Sequence, residues 1–168
     1  MIDGDRVVHE ARYPHSLSDV WDALTEPEAL AAWLMPNNFA PIAGHRFQLD
    51  SSPSLGIIEG EVLDVDPPSL LRCRWVIEGV PSEVTMRLRA DGPGTLLQLE
   101  HVRITPQARP GFDSGWSAKF DRDFVLVLTG ARDRTRSEVE GGLYRHPDLT
   151  VRNESDTQPA GEERAGES

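Results

Sequence analysis

Few side chains in this sequence are of types that do chemistry, and their spacing limits what each could do. His101 closes the run Leu97-Gln98-Leu99-Glu100-His101. On a strand, Leu97, Leu99 and His101 share one face, so the histidine should look where two leucines look. A histidine there could hydrogen-bond a ligand carbonyl or act as an acid–base group. It could equally be a core histidine bonded to backbone. Glu59 and Glu61 also share a strand face. They would form an acid–base pair only if burial separated their pKa values, and a solvated outer face accounts for them more simply. Cys73 is the single cysteine, which excludes an internal disulfide and a cysteine-rich metal site. Beside Trp75 on an inward strand face, it reads as a buried structural thiol. Ser114, in Gly111-Phe112-Asp113-Ser114-Gly115, is not in a nucleophile elbow and reads as a helix cap. His9, His15, His45, His101 and His146 show no paired metal-ligand spacing, so no metal is expected. No phosphate-cradling glycine loop is present, and no cofactor is expected.

The elements that must position these groups are legible in the periodicity. Asp5 to Tyr13 reads as a strand with Val7, His9, Ala11 and Tyr13 on one face. Ser16 is an N-cap with Asp19 at the capping-box position, and Leu17, Val20, Trp21 and Leu24 form a helical stripe. Trp21 belongs to the core. A second helix starts at Thr25-Glu26-Pro27, shows Leu30, Trp33 and Leu34 on its apolar face, and stops at Pro36. Strands are expected at 43–49, 57–65, 70–77, around Val84, Met86 and Leu88, and around Leu97 to His101. The turn Asp91-Gly92-Pro93-Gly94 joins the last two. Clean alternation implies antiparallel strands with one covered face. Thr105 to Gly115 reads as a loop. A long helix is expected from Ser114 to about Glu138, stopped by Gly141-Gly142. Residues 1–147 should form one domain, and 148–168 a disordered acidic tail.

Composition sets the broad class. The chain has 168 residues, a net charge of −11, 38% hydrophobic and 27% charged residues, which describes a soluble globular protein. Nucleic acid is not an expected partner for so acidic a chain. Arg132 to Arg136 reads as the solvated last turns of a helix. Neither a membrane span nor a secretory signal is visible, which favours the cytoplasm. The aromatics Trp33, Phe39, Phe47, Trp75, Trp116, Phe120 and Phe124 lie on elements that should converge. With Met86, Leu99 and His101 they are the candidate lining of a ligand pocket, since pockets are mostly apolar. Plain core packing is the competing reading.

Taken in order, Val20-Trp21-Asp22-Ala23-Leu24-Thr25, Leu30-Ala31-Ala32-Trp33, Gly44-His45-Arg46-Phe47, Gly60-Glu61-Val62-Leu63-Asp64-Val65-Asp66-Pro67-Pro68, Gly94-Thr95-Leu96-Leu97-Gln98-Leu99-Glu100-His101 and Gly115-Trp116 resemble one family. It comprises the bacterial proteins related to the C-terminal domain of the activator of Hsp90 ATPase, in the START/Bet v 1-like (SRPBCC) superfamily. The resemblance runs from about Arg6 to Arg134. It implies an α+β helix-grip fold: a curved antiparallel sheet around the C-terminal helix, two short helices after the first strand, and a cavity for a lipid- or polyketide-like molecule. It implies no shared catalytic set, so the reading leans away from an enzyme. One branch of the family protects its hosts from enediyne antibiotics by letting the drug's diradical consume the protein's own backbone. Gly111 and Gly115, on a segment expected to be mobile, would be the sacrificial positions. Simple turn chemistry is their other reading. The alternatives are a polyketide cyclase or aromatase using His101, and a stress co-chaperone. The last is disfavoured because the Hsp90 activator works with a further N-terminal domain for which this chain has no room. A monomer or weak dimer is expected.

Overall fold

Alternation of apolar and polar residues in six segments builds one antiparallel sheet. The computed structural model of the protein describes residues 6–130, 139–140 and 143–144. The strands are β1 (Arg6–Tyr13), β2 (Arg46–Asp50), β3 (Ile57–Asp66), β4 (Leu70–Ile77), β5 (Val80–Asp91) and β6 (Gly94–Val102). Their spatial order is β1-β6-β5-β4-β3-β2, so β1 and β2 are the edges. Register places Val62, Cys73, Val84, His101 and Val7 side by side across the inner face. All five are buried. The outer face is wet and cross-linked by charge: Arg72 meets Asp64 at 2.8 Å and Glu83 at 3.0 Å, and Arg74 meets Glu61 at 2.8 Å. Glu59 lies on this face too, accepting from the Gln48 amide at 3.4 Å. The two glutamates are therefore a solvated surface pair and not an acid–base site.

Between β1 and β2 the chain forms α1 (Leu17–Thr25) and α2 (Pro27–Trp33). The Asp19 N–H donates to Ser16 Oγ at 3.1 Å, closing the expected cap. Pro27 opens α2, where its missing N–H leaves nothing unpaired. The Trp33 indole N–H donates to the Ala23 carbonyl at 2.8 Å and locks the two helices together. Among the described residues, no helix is long and apolar enough to cross a membrane.

The C-terminal helix departs from expectation at its start. It begins at Arg109, running as α3 (Arg109–Ala118), a π-helical turn (Lys119–Asp123) and α4 (Phe124–Gly130). The loop expected over Thr105 to Gly115 is therefore mostly helix. Ser114 lies inside α3, its hydroxyl directed to the Gly111 carbonyl at 3.4 Å, and caps nothing. Pro110 in the first turn was the start signal, hidden among glycines that argue for a loop. In the π turn, the Phe124 N–H goes to Lys119 O instead of Phe120 O. The Tyr13 hydroxyl, from β1, donates to that Phe120 carbonyl at 2.9 Å. The expected helix end near Glu138, the basic run Arg132 to Arg136, Gly141-Gly142, His146 and the boundary at 147 lie outside the described residues. Two short paired strands, β7 (Val139–Glu140) and β8 (Leu143–Tyr144), were not expected.

Three glycine positions separate steric need from chemistry. A Cβ on Gly94 would overlap the Tyr13 carbonyl oxygen, whereas one on Gly111 or Gly115 would meet nothing within 4 Å. Gly94→Ala is expected to destabilise the fold by about 1–3 kcal/mol, as overpacking does. Gly115→Ala should stabilise it by about 0.5–1 kcal/mol, the usual helix-interior difference. Urea unfolding midpoints of the two variants measure both.

Candidate ligand-binding site

The inner face of the sheet is divided into two unequal regions. The first, over β1 and β6, is filled by the C-terminal helix. Trp116 and Phe120 stack at 5.5 Å and 15°, and His9 of β1 also stacks with Phe120 at 5.5 Å and 14°. Trp33 of α2 meets Phe120 at 5.3 Å and Phe124 edge-on at 4.9 Å. Tyr13 closes on Phe124 at 5.1 Å. Trp33, Phe120 and Phe124 are wholly buried. Such ring contacts add roughly 0.5–1.5 kcal/mol each beyond area burial, so this region is a solid core.

His101 sits at its centre, 0% exposed. The Trp116 indole N–H donates to His101 Nδ1 at 3.2 Å. An indole only donates, so Nδ1 carries a lone pair and the ring proton is on Nε2. That proton goes to Ser82 Oγ at 2.9 Å, and the Ser82 hydroxyl donates to the Trp75 carbonyl at 3.0 Å. Each bond in this run has one direction, with Ser82 Oγ accepting from the imidazole and donating to the carbonyl. Burial pushes the imidazole pKa down to about 4. His101 thus faces packed rings and serves as a neutral strut between helix and sheet. The geometry leaves neither nitrogen for a substrate.

The second region, over β2 to β5, lies beneath α1 and α2 and holds an apolar cavity of about 30 Å³. That is room for roughly two waters, at about 10–15 Å³ for each water centre. Phe47 and Leu49 of β2, Leu71, Cys73 and Trp75 of β4, and Val84 and Met86 of β5 form its sheet wall. Leu24, Leu30, Leu34 and Phe39 form the helical wall and rim, and of all these liners only Leu34 is half-buried. None of the liners is charged. Burial pushes the Cys73 thiol up to about 12, which keeps it protonated and unreactive.

Of the ten pocket candidates read from the sequence, the structure places Phe39, Phe47, Trp75 and Met86 on this cavity. Trp33, Leu99, His101, Trp116, Phe120 and Phe124 belong to the packed region instead. Sequence reading missed the aliphatic liners and Cys73. Their alternation marked an inward face, but no local pattern says which part of that face the helix will leave uncovered. Gly111 and Gly115 lie on α3, which contributes no wall to the cavity. Among the described residues, no three His, Cys, Asp or Glu side chains come together as metal ligands.

The family model described as "Activator of Hsp90 ATPase homolog 1-like protein" matches residues 14–124. The chain belongs to this family. Solved structures of similar chains extend the picture. MLL2253 from Mesorhizobium loti is 31% identical with a TM-score of 0.69, over 76% of this chain and 98% of its own. CalU16 from Micromonospora echinospora is 30% identical with a TM-score of 0.64, over 74% of each chain. DynU16, from the dynemicin biosynthetic locus, shares the fold at 22% identity and a TM-score of 0.67; this chain spans about half of it, 48%. Among curated proteins, none matches. As in any helix-grip member of the Hsp90-activator-like family, the long helix here lies across the sheet.

The low pKa of His101 makes stability acid-sensitive. An unfolded histidine takes up its proton near pH 6.5, the folded one only near 4. Between these values the unfolded state binds more protons, so stability present above pH 6.5 is lost as pH falls toward 4. The loss from this group is on the order of 3 kcal/mol at about 1.4 kcal/mol per pKa unit. Urea titrations across this window should show that slope in the wild type. His101→Gln should be less stable at pH 7, with the slope reduced.

Proposed function

We propose that this protein binds a hydrophobic small molecule without transforming it, and that the molecule is an enediyne antibiotic held away from its target. The observation that carries the reading is the cavity wall: apolar residues from α1, α2, β2, β4 and β5, with no charged group among them. Such a wall selects ligands by the hydrophobic effect and shape, and supplies no general acid or base. The one histidine buried among the described residues is committed to Trp116 and Ser82, which counts against a cyclase using it. Similarity to CalU16 and to a protein of the dynemicin biosynthetic locus supports the antibiotic class. Sequestration is favoured over self-sacrifice because Gly111 and Gly115 are helical and stand away from the cavity wall.

At about 30 Å³ the cavity is partly open at its rim but small, against roughly 300–1,000 Å³ for typical ligand pockets. Binding therefore requires lining side chains or the walls that carry them to move outward. A stoichiometric excess of the protein is expected to protect plasmid DNA from nicking by an activated enediyne. Intact mass should show the chain uncleaved. Nicking that proceeds at the same rate with and without the protein would sink the reading, and cleavage at Gly111 or Gly115 would replace sequestration with self-sacrifice.

A further inference from the structure

Gly60 stands in the middle of β3 with no left-handed torsion that would call for glycine. A glycine inside a strand weakens the sheet and commonly marks the close approach of another group. The group here is Phe47, its partner across the β2–β3 ladder. A Cβ on Gly60 would overlap ring carbons Cε2 and Cζ of Phe47. The phenyl ring therefore rests on bare backbone, where a side chain of residue 60 would otherwise stand. In the next strand Gly60 is in register with Trp75, which also lines the cavity. Phe39 packs edge-on to Phe47 at 5.0 Å. The result is a flat patch with an aromatic neighbour, one aromatic ring already seated on it, and the cavity alongside.

The structure assigns this patch a role: we propose that Gly60 is the seat for a flat, uncharged ring of the ligand, and that Phe47 is a plug which swings off it. The inference rests on the proposed binding function and specifies its subsite. A planar ring needs a surface without a Cβ, whereas a flexible aliphatic chain could settle on ordinary strand residues. Phe47 belongs to an edge strand of five residues whose outer side is bridged to residues 36–38, where Asn37 pairs with Leu49 and the Asp50 N–H donates to the Pro36 carbonyl, so the ring moves by side-chain rotation and the strand stays in place. A rotation about its Cα–Cβ bond moves the ring between staggered positions. The incoming ring restores the apolar contact that Phe47 gives up, and the volume of the phenyl ring joins the cavity.

The neutral fluorescent amine N-phenyl-1-naphthylamine serves as the probe. Phe47→Ala, shown folded by circular dichroism, is expected to bind it at least tenfold more tightly than the wild type. Phe47→Ala/Gly60→Val refills the seat with a side chain and should return affinity to the wild-type level. In the wild type, saturating probe should raise the urea unfolding midpoint, as a ligand that binds only the folded state does. If Phe47→Ala does not fold, Phe47→Leu takes its place with the same direction of effect. A folded variant that binds no better than wild type, or a double variant that binds as well as the single, overturns the seat and plug. If the probe stabilises the wild type in that case, apolar binding stands while the plug falls. Absence of probe binding in every form overturns both.

Discussion

A single run of hydrogen bonds, from the Trp116 indole through His101 and Ser82 to the Trp75 carbonyl, ties the C-terminal helix to the sheet. It crosses otherwise apolar space, where each bond is electrostatically strong and each unmade one is costly. Because indole donates only and the carbonyl accepts only, the direction of the whole run is determined, and with it the histidine tautomer. The stacked rings of His9, Phe120 and Trp116 depend on the same placement. So does the π turn, whose displaced Phe120 carbonyl meets Tyr13. With the helix held over β1 and β6, the apolar cavity lies under α1 and α2, against β2, β4 and β5.

That division explains the chemical character of the cavity. Buried His101 and Ser82 are spent on the helix-to-sheet junction, and the cavity wall is left to apolar residues. A second polar knot limits how the cavity side can move. Asn37, fully buried, donates to the Pro27 and Met35 carbonyls and accepts from the Phe39 N–H. It joins the first turn of α2 and the segment after that helix to the approach to β2. Opening can then occur by side-chain rotation within this frame more readily than by detaching α2, since breaking buried hydrogen bonds costs more than exchanging one apolar contact for another.

Much of the fold was legible because its signals are local. Ser16 with Asp19, Pro27 after Glu26, and the alternation in Leu70 to Ile77 and Gly94 to Val102 each depend on neighbours in the chain. The start of α3 was misread because its proline and glycines also favour turns. Only packing of Trp116 and Phe120 against β1 and β6 overrides that preference, and such packing is invisible in a local window. The aromatic candidates were sound as buried residues. Their assignment to one pocket assumed that all inward rings surround the same space, whereas Trp75 alone stands at the border of both regions.

By itself the sequence determined which residues turn inward, the order of the elements, and the apolar character of whatever the interior holds. These follow from hydrophobic periodicity, caps and turns, all of short range. The tertiary structure alone decided that His101 is a strut, that Gly111 and Gly115 are helical and unconfined, and that the cavity is small and borders β2 to β5. Those outcomes depend on the register of six strands and the seating of one helix, which bring together residues such as Phe47 and Gly60, or His101 and Trp116, through distances that no pattern along the chain encodes.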